Sequence, residues 1–175
     1  MSNPTCIVMV GLPATGKSTM VNRVVRDMSD HDTRVFVYST DGILERIADF
    51  LGKTYNDVFE KHIKSATAEA DIDLAHAIKE RQDIIWDQTN LSAKKRAKII
   101  NRMRQAGYRV ECGCILLPAG DSQWEDWRHR MQSRPGKTIP DSVIESMMDS
   151  FVMPTVDEGF DAVRCYDMYG NSMSG

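Results

Sequence analysis

Apolar runs of strand length recur at residues 5–10, 34–38, 83–87 and 109–117, a last short strand is expected within 161–168, and segments of helix length separate them. That alternation predicts a parallel sheet with helices on both faces. Within 18–28, Met20, Val21, Val24, Val25 and Met28 fall on one side of a helix. Residues 57–82 carry Phe59, Ile63, Ala66, Ala70, Leu74 and Ile78 at spacings of three and four, which predicts a long helix with one buried stripe. Thr54 stands where that helix needs an N-cap. Further helices are expected over 92–106, stopped near Gly107, over about 121–133 and over 140–150. The Gly- and Ser-rich stretch 170–175 reads as a frayed tail, and no repeat or linker interrupts the pattern.

Between the first strand and the first helix stand Gly11, Leu12, Pro13, Ala14, Thr15, Gly16, Lys17 and Ser18, the phosphate-binding loop pattern G-x-x-x-x-G-K-[ST], followed by Thr19. The glycines let backbone N–H groups turn inward around phosphates, and the helix N-terminus adds partial positive charge. Lys17 would neutralise the transferring phosphate, and the Ser18 hydroxyl would hold Mg²⁺. The chain is therefore expected to bind ATP or GTP through an α/β P-loop NTPase kinase fold.

Composition narrows this without changing it. The 175 residues are 42% apolar and 27% charged, which fits one domain, 1–175, with a sizeable core. No apolar stretch approaches the ~20 residues a bilayer requires. Residues 1–5 lack the basic start of a secretory signal, so a soluble, cytoplasmic protein is expected. Cys6, Cys112, Cys114 and Cys165 show no C-x-x-C spacing, and Cys112 and Cys114 share a strand face as small core residues; neither zinc nor disulfides are indicated. His31, His62, His76 and His129 form no ligand motif and are read as solvated or locally satisfied.

The net charge of −3 argues against broad nucleic-acid binding but leaves room for a local basic site. Lys94, Lys95, Arg96, Lys98, Arg102 and Arg104 follow one another with no acid between them, either as a solvated helix face or as an anion or nucleic-acid surface. Arg128, Arg130, Arg134 and Lys137, with a Pro-Gly turn, read as a mobile lid that closes positive charge over phosphates. Arg128 also fits a helix C-terminus complementing the macrodipole, whereas Arg134 lies past the helix.

Open parallel sheets hold ligands beyond the carboxyl ends of their strands. Strand two is followed by Asp41 and strand three by Asp87, Gln88, Thr89 and Asn90. Asp41 is the candidate base for an attacking hydroxyl, or else a helix N-cap; Asp87 is the candidate magnesium-shell acid, or else a strand-end turn residue. Thr89 and Asn90 are candidate substrate contacts.

In this ordered combination the chain resembles the phage and eukaryotic polynucleotide 5′-hydroxyl kinases. The resemblance rests on the phosphate loop, Asp41, the Asp87-Gln-Thr-Asn-Leu91 run before a basic helix, and Arg130, Arg134, Lys137 and Pro140 at their spacing. It implies transfer of the γ-phosphate of ATP, with Mg²⁺, to a hydroxyl of DNA or RNA. Asp41 would be the general base, and Arg130 and Arg134 would contact the nucleotide phosphates. A second, phosphatase domain is not expected.

One departure matters. Phage members carry an Arg three residues after the base to grip the acceptor strand, whereas here that position is Leu44 and the nearest basic residue is Arg46. The acceptor could then differ, since related phage kinases phosphorylate 5-hydroxymethyluracil within DNA. Tyr55 would stack on such a flipped base, or else pack on Phe59 at i, i+4. A small-metabolite kinase and a non-catalytic nucleotide switch complete the alternatives.

Overall fold

Period-two alternation along each strand run sorts its apolar residues between the two faces of a single sheet. The computed structural model describes residues 2–29 and 34–173, so His31 and the last two positions of the expected tail lie outside the described residues. Strands β1 (Thr5–Val10), β2 (Val35–Tyr38), β3 (Asp83–Trp86), β4 (Arg109–Ile115) and β5 (Ala162–Tyr166) run parallel in the spatial order β2-β3-β1-β4-β5. A two-residue strand, β6 (Ser172–Met173), pairs antiparallel with β5 at the edge. The expected tail is thus ordered through Met173. The Asp167 carboxylate accepts from the Tyr169 and Asn171 N–H groups, at 2.9 Å each, and turns the chain back.

Helices α1 (Lys17–Ser29), α2 (Thr40–Leu51), α3 (Tyr55–Lys79), α4 (Ala93–Gln105), α5 (Gly120–Gln132) and α6 (Asp141–Ser150) connect the strands. Cys6, Val8, Val10, Ile84, Trp86, Val110, Cys112 and Cys114 face a core shared with Leu44, Ala70, Leu74, Ile99 and Met103 of α2, α3 and α4. The opposite face buries Met9, Ile85 and Ile115 under Met20 and Val21 of α1. On that same face, Glu111 sits between Arg109, at 3.6 Å, and Arg164, at 2.5 Å.

Thr54 caps α3 as expected, reciprocally with Asp57 in a capping box. The expected stripe begins later than its spacing implied. Ala66, Ala70 and Leu74 are buried, whereas Phe59 is 40% exposed because Val58, one position away, turns toward the core instead. The helix stops at Lys79, short of 82, where Arg81 at φ 58° redirects the chain into β3.

Candidate active site

The β1–α1 turn places Gly16 at φ +91°, and a Cβ there would lie 3.3 Å from the Met168 carbonyl oxygen, so glycine alone suits both the conformation and the close approach. Thr15 braces the loop by donating from Oγ1 to the Leu12 carbonyl at 2.7 Å. Two loop residues expected at the nucleotide are not among those that line the cavity beside the loop. The Gly11 N–H is consumed by the Thr89 carbonyl at 3.0 Å, and Leu12 is buried against Leu91, Trp127 and Met168. Pro13, Ala14, Thr15, Gly16, Lys17, Ser18 and Thr19 line a cavity of about 1330 Å³ at the carboxyl ends of the strands.

Asp41 and Asp87 line the same cavity from the ends of β2 and β3. Lys17 Nζ lies 2.6 Å from Asp87 Oδ1. The N-cap of α2 is Ser39, whose Oγ accepts from the Gly42 N–H at 3.1 Å; Asp41 is therefore not needed as the cap and stands exposed in the first turn. Tyr55 Oη donates to Asp41 Oδ1 at 2.7 Å, and its ring also packs 5.8 Å from that of Phe59. Burial, then the hydrogen bond to Asp41, pushes the Tyr55 phenol above its ordinary pKa, so it remains a donor.

The basic segment after α4 and β4 lies over this cavity. Trp127 Nε1 donates to the Pro13 carbonyl at 2.9 Å and fixes α5 to the phosphate loop. Arg130 donates to the Met168 carbonyl at 3.0 Å and lies 5.6 Å from the Tyr169 ring centroid. Arg134, past the end of α5, and Lys137 line the cavity as well, whereas Arg128 is exposed outside it. The Gly136 carbonyl accepts from the Asn56 N–H at 3.0 Å, and Asn56 Nδ2 donates to Thr138 Oγ1 at 2.6 Å, so the segment is latched to the start of α3.

Two expectations about the acceptor side are corrected. Asn90 is fully buried at φ 46°, its amide donating to the Met9 carbonyl at 2.8 Å; it fixes the β3 turn against β1 and is not presented to a ligand, whereas Thr89 does line the cavity. Arg46 is outside the cavity, on a solvated face of α2 at 3.5 Å from Glu69. Leu44, where an acceptor-gripping Arg was absent, is a fully buried core residue.

The basic helix also divides. Arg96 is 0% exposed, paired with both Glu158 oxygens at 2.8 and 3.1 Å, and donates to the Asn90 and Leu91 carbonyls at 3.0 and 2.9 Å. Arg104 is tied to the Gly159 carbonyl and, at 3.2 Å, to Asp161. Lys95 lines the cavity, its ammonium held below the ordinary lysine pKa by partial removal from water and by the like charge of Lys17.

Lys137 and Lys95 are the site residues least visible in the sequence, the first one of four lid charges and the second one of six in a basic run. Among the described residues no group of three His, Cys, Asp or Glu could hold a metal ion, and no helix is long and apolar enough to cross a membrane. A small, partly hydrated cation carried by phosphates needs no such cage; Ser18 and Asp87, both on the cavity wall, carry the kind of oxygen donor that could hold Mg²⁺.

The fold recurs in solved structures of low identity. A candidate kinase from Chloroflexus aurantiacus is 18% identical, with a TM-score of 0.66 over 95% of this chain and 89% of that one. Kti12 from Chaetomium thermophilum, solved with ADP-AlF3, is 15% identical at a TM-score of 0.62, covering 93% of this chain and 88% of its own. A fungal RNA kinase is 12% identical at a TM-score of 0.57, covering 94% and 75%. The family model of an AAA domain matches residues 6–154, which include the phosphate loop, Asp41, Asp87 and the lid, and the chain belongs to that P-loop family.

Proposed function

We propose that this chain is an ATP-dependent kinase that transfers the γ-phosphate to a hydroxyl of a nucleic acid, the 5′-hydroxyl end being the first acceptor. The observation that carries this reading is the sharing of one 1330 Å³ cavity by Lys17, Arg130, Arg134 and Asp41. Single-ligand sites hold roughly 300–1,000 Å³, so the space suits a donor and an acceptor together. A nucleotide switch has no use for a carboxylate at the acceptor position.

In this mechanism Lys17, Arg130 and Arg134 bind phosphate oxygens and take up charge as it spreads over the transferring group. Ser18 and Asp87 would hold Mg²⁺, which neutralises phosphate charge when bound. Asp41 accepts the acceptor hydroxyl's proton as that oxygen bonds to the γ-phosphorus and the bond to ADP breaks. Lys95 and the exposed Lys94 are the basic residues available to a strand near the site. The fungal RNA kinase among the structural neighbours supports a nucleic-acid acceptor, and Kti12 with ADP-AlF3 supports nucleotide in this fold.

A second acceptor, a 5-hydroxymethyluracil within DNA, is favoured by one observation. Tyr55, Phe59, Ile63, Ile139, Val143 and Met147 are apolar residues lining the cavity, a lining suited to a flat ring, and Tyr55 lies beside Asp41. Labelled ATP offered in parallel to 5′-hydroxyl oligonucleotides, end-phosphorylated hydroxymethyluracil DNA and free nucleosides separates these readings. Transfer to the first supports the 5′-end reading, and transfer to the second replaces it with the base reading. Transfer to nucleosides alone, or none to any acceptor, overturns the nucleic-acid assignment.

A further inference from the structure

Asp41 is exposed in the first turn of α2, where a short carboxylate has several rotamers open to it. It is nevertheless held from two sides. Tyr55 Oη donates to Oδ1 at 2.7 Å, while Lys137 Nζ makes a long contact of 3.5 Å with Oδ2 and a shorter one of 2.9 Å with Glu45. The same ammonium lies 4.4 Å from the centroid of the Tyr55 ring. A proton acceptor works only when one oxygen is aimed at the hydroxyl, and misplacement by an ångström can cost orders of magnitude in rate.

We propose that Tyr55 is a positioning residue for the base: its hydroxyl occupies Asp41 Oδ1 and leaves Oδ2, held only by the long 3.5 Å contact with Lys137, to receive the acceptor's proton. This rests on the reading of Asp41 as base given above. It assigns Tyr55 a task distinct from stacking, since the hydroxyl and not the ring carries it. Lys137 and Asn56 extend the arrangement. Tyr55 holds the base while its neighbour Asn56 holds the lid through Gly136 and Thr138, so base and lid are referred to one helix start. Lys137, on the lid, then contacts the base and the Tyr55 ring directly.

The test is Tyr55→Phe, which keeps the ring on Phe59 and under Lys137 and removes only the hydroxyl. In steady-state kinetics with ATP and the accepted hydroxyl substrate, kcat should fall on the order of ten-fold, as expected for one lost hydrogen bond to a charged group, while both KM values and the melting temperature hold. In an Asp41→Asn background the same change should cause no further loss, because the group it positions is gone. Wild-type kcat for Tyr55→Phe, or an equal ten-fold loss in both backgrounds, overturns the positioning role. Wild-type turnover by Asp41→Asn alone would instead overturn the base assignment, so the two failures are distinct.

Discussion

Lys17 Nζ and Asp87 Oδ1 lie 2.6 Å apart, both side chains largely shielded at 15% and 14% exposure, so the phosphate loop and the end of β3 are joined by an ion pair across the floor of the site. A bound phosphate would therefore compete with Asp87 for the same ammonium. Lys17→Ala should abolish transfer, by 10³-fold or more on the scale of transition-state charge contacts, with the far-ultraviolet circular dichroism unchanged. Asp87→Asn should leave nucleotide binding intact by calorimetry while the magnesium dependence of turnover shifts to higher concentration. A folded Lys17→Ala variant with near wild-type turnover would refute the phosphate-loop role.

Arg134 forms no ion pair among the described residues, its guanidinium resting 3.9 Å from the Met131 sulfur on the cavity wall. It is free to take phosphate oxygens. Arg134→Ala should lower kcat by about 10²-fold or more with little change in melting temperature, and Arg134→Lys should recover only part, since a point charge lacks the guanidinium fork. Full activity in both variants would remove Arg134 from the site.

Arg96 behaves oppositely. Its guanidinium is wholly buried and satisfied by Glu158 and two carbonyls, so Arg96→Ala leaves a carboxylate and two carbonyl groups short of partners. Loss of one side of such a pair costs about 3–5 kcal/mol, which denaturant unfolding should register as a lower midpoint. Unchanged stability with weakened oligonucleotide binding would return Arg96 to the substrate surface.

Gly136 adopts φ +66°, and a Cβ there would fall 2.5 Å from Thr54 Cβ. Gly136→Ala should therefore lift the lid segment from the start of α3, raise the KM for ATP, and expose residues 133–140 to limited proteolysis with the core intact. Unaltered protease resistance would show that the latch does not depend on this close approach.

Element order and the phosphate loop were legible because each rests on a local signal: strand-length apolar runs, helical spacing, Thr54 before Asp57, and glycines at fixed offsets. What escaped depends on partners far away in the chain. Nothing in 94–104 distinguishes Arg96 from Lys95, yet the first meets Glu158, 62 residues on, while the second lines the cavity. Asn90 follows Asp87 in a polar run, but the Met9 carbonyl of a neighbouring strand claims its amide. Asp41 and Ser39 compete locally for one cap, and the Ser39 hydroxyl makes the bond to Gly42. The contact of Lys137 with Asp41 spans 96 residues and leaves no trace in either segment alone.

The turn after β5 has a consequence for the order in which this molecule becomes competent. Met168 abuts Gly16 and accepts from Arg130, and Arg23 reaches the Gly170 carbonyl, 147 residues away in sequence, at 3.1 Å. Contacts so distant in the chain close a long loop, and the entropic cost of that closure has to be offset by other pairings. The phosphate loop, although encoded among the first twenty residues, gains its outer wall only once β5 has docked on β4. A nucleotide bound here would bridge segments far apart in the chain, and should therefore slow the detachment of β5 and β6.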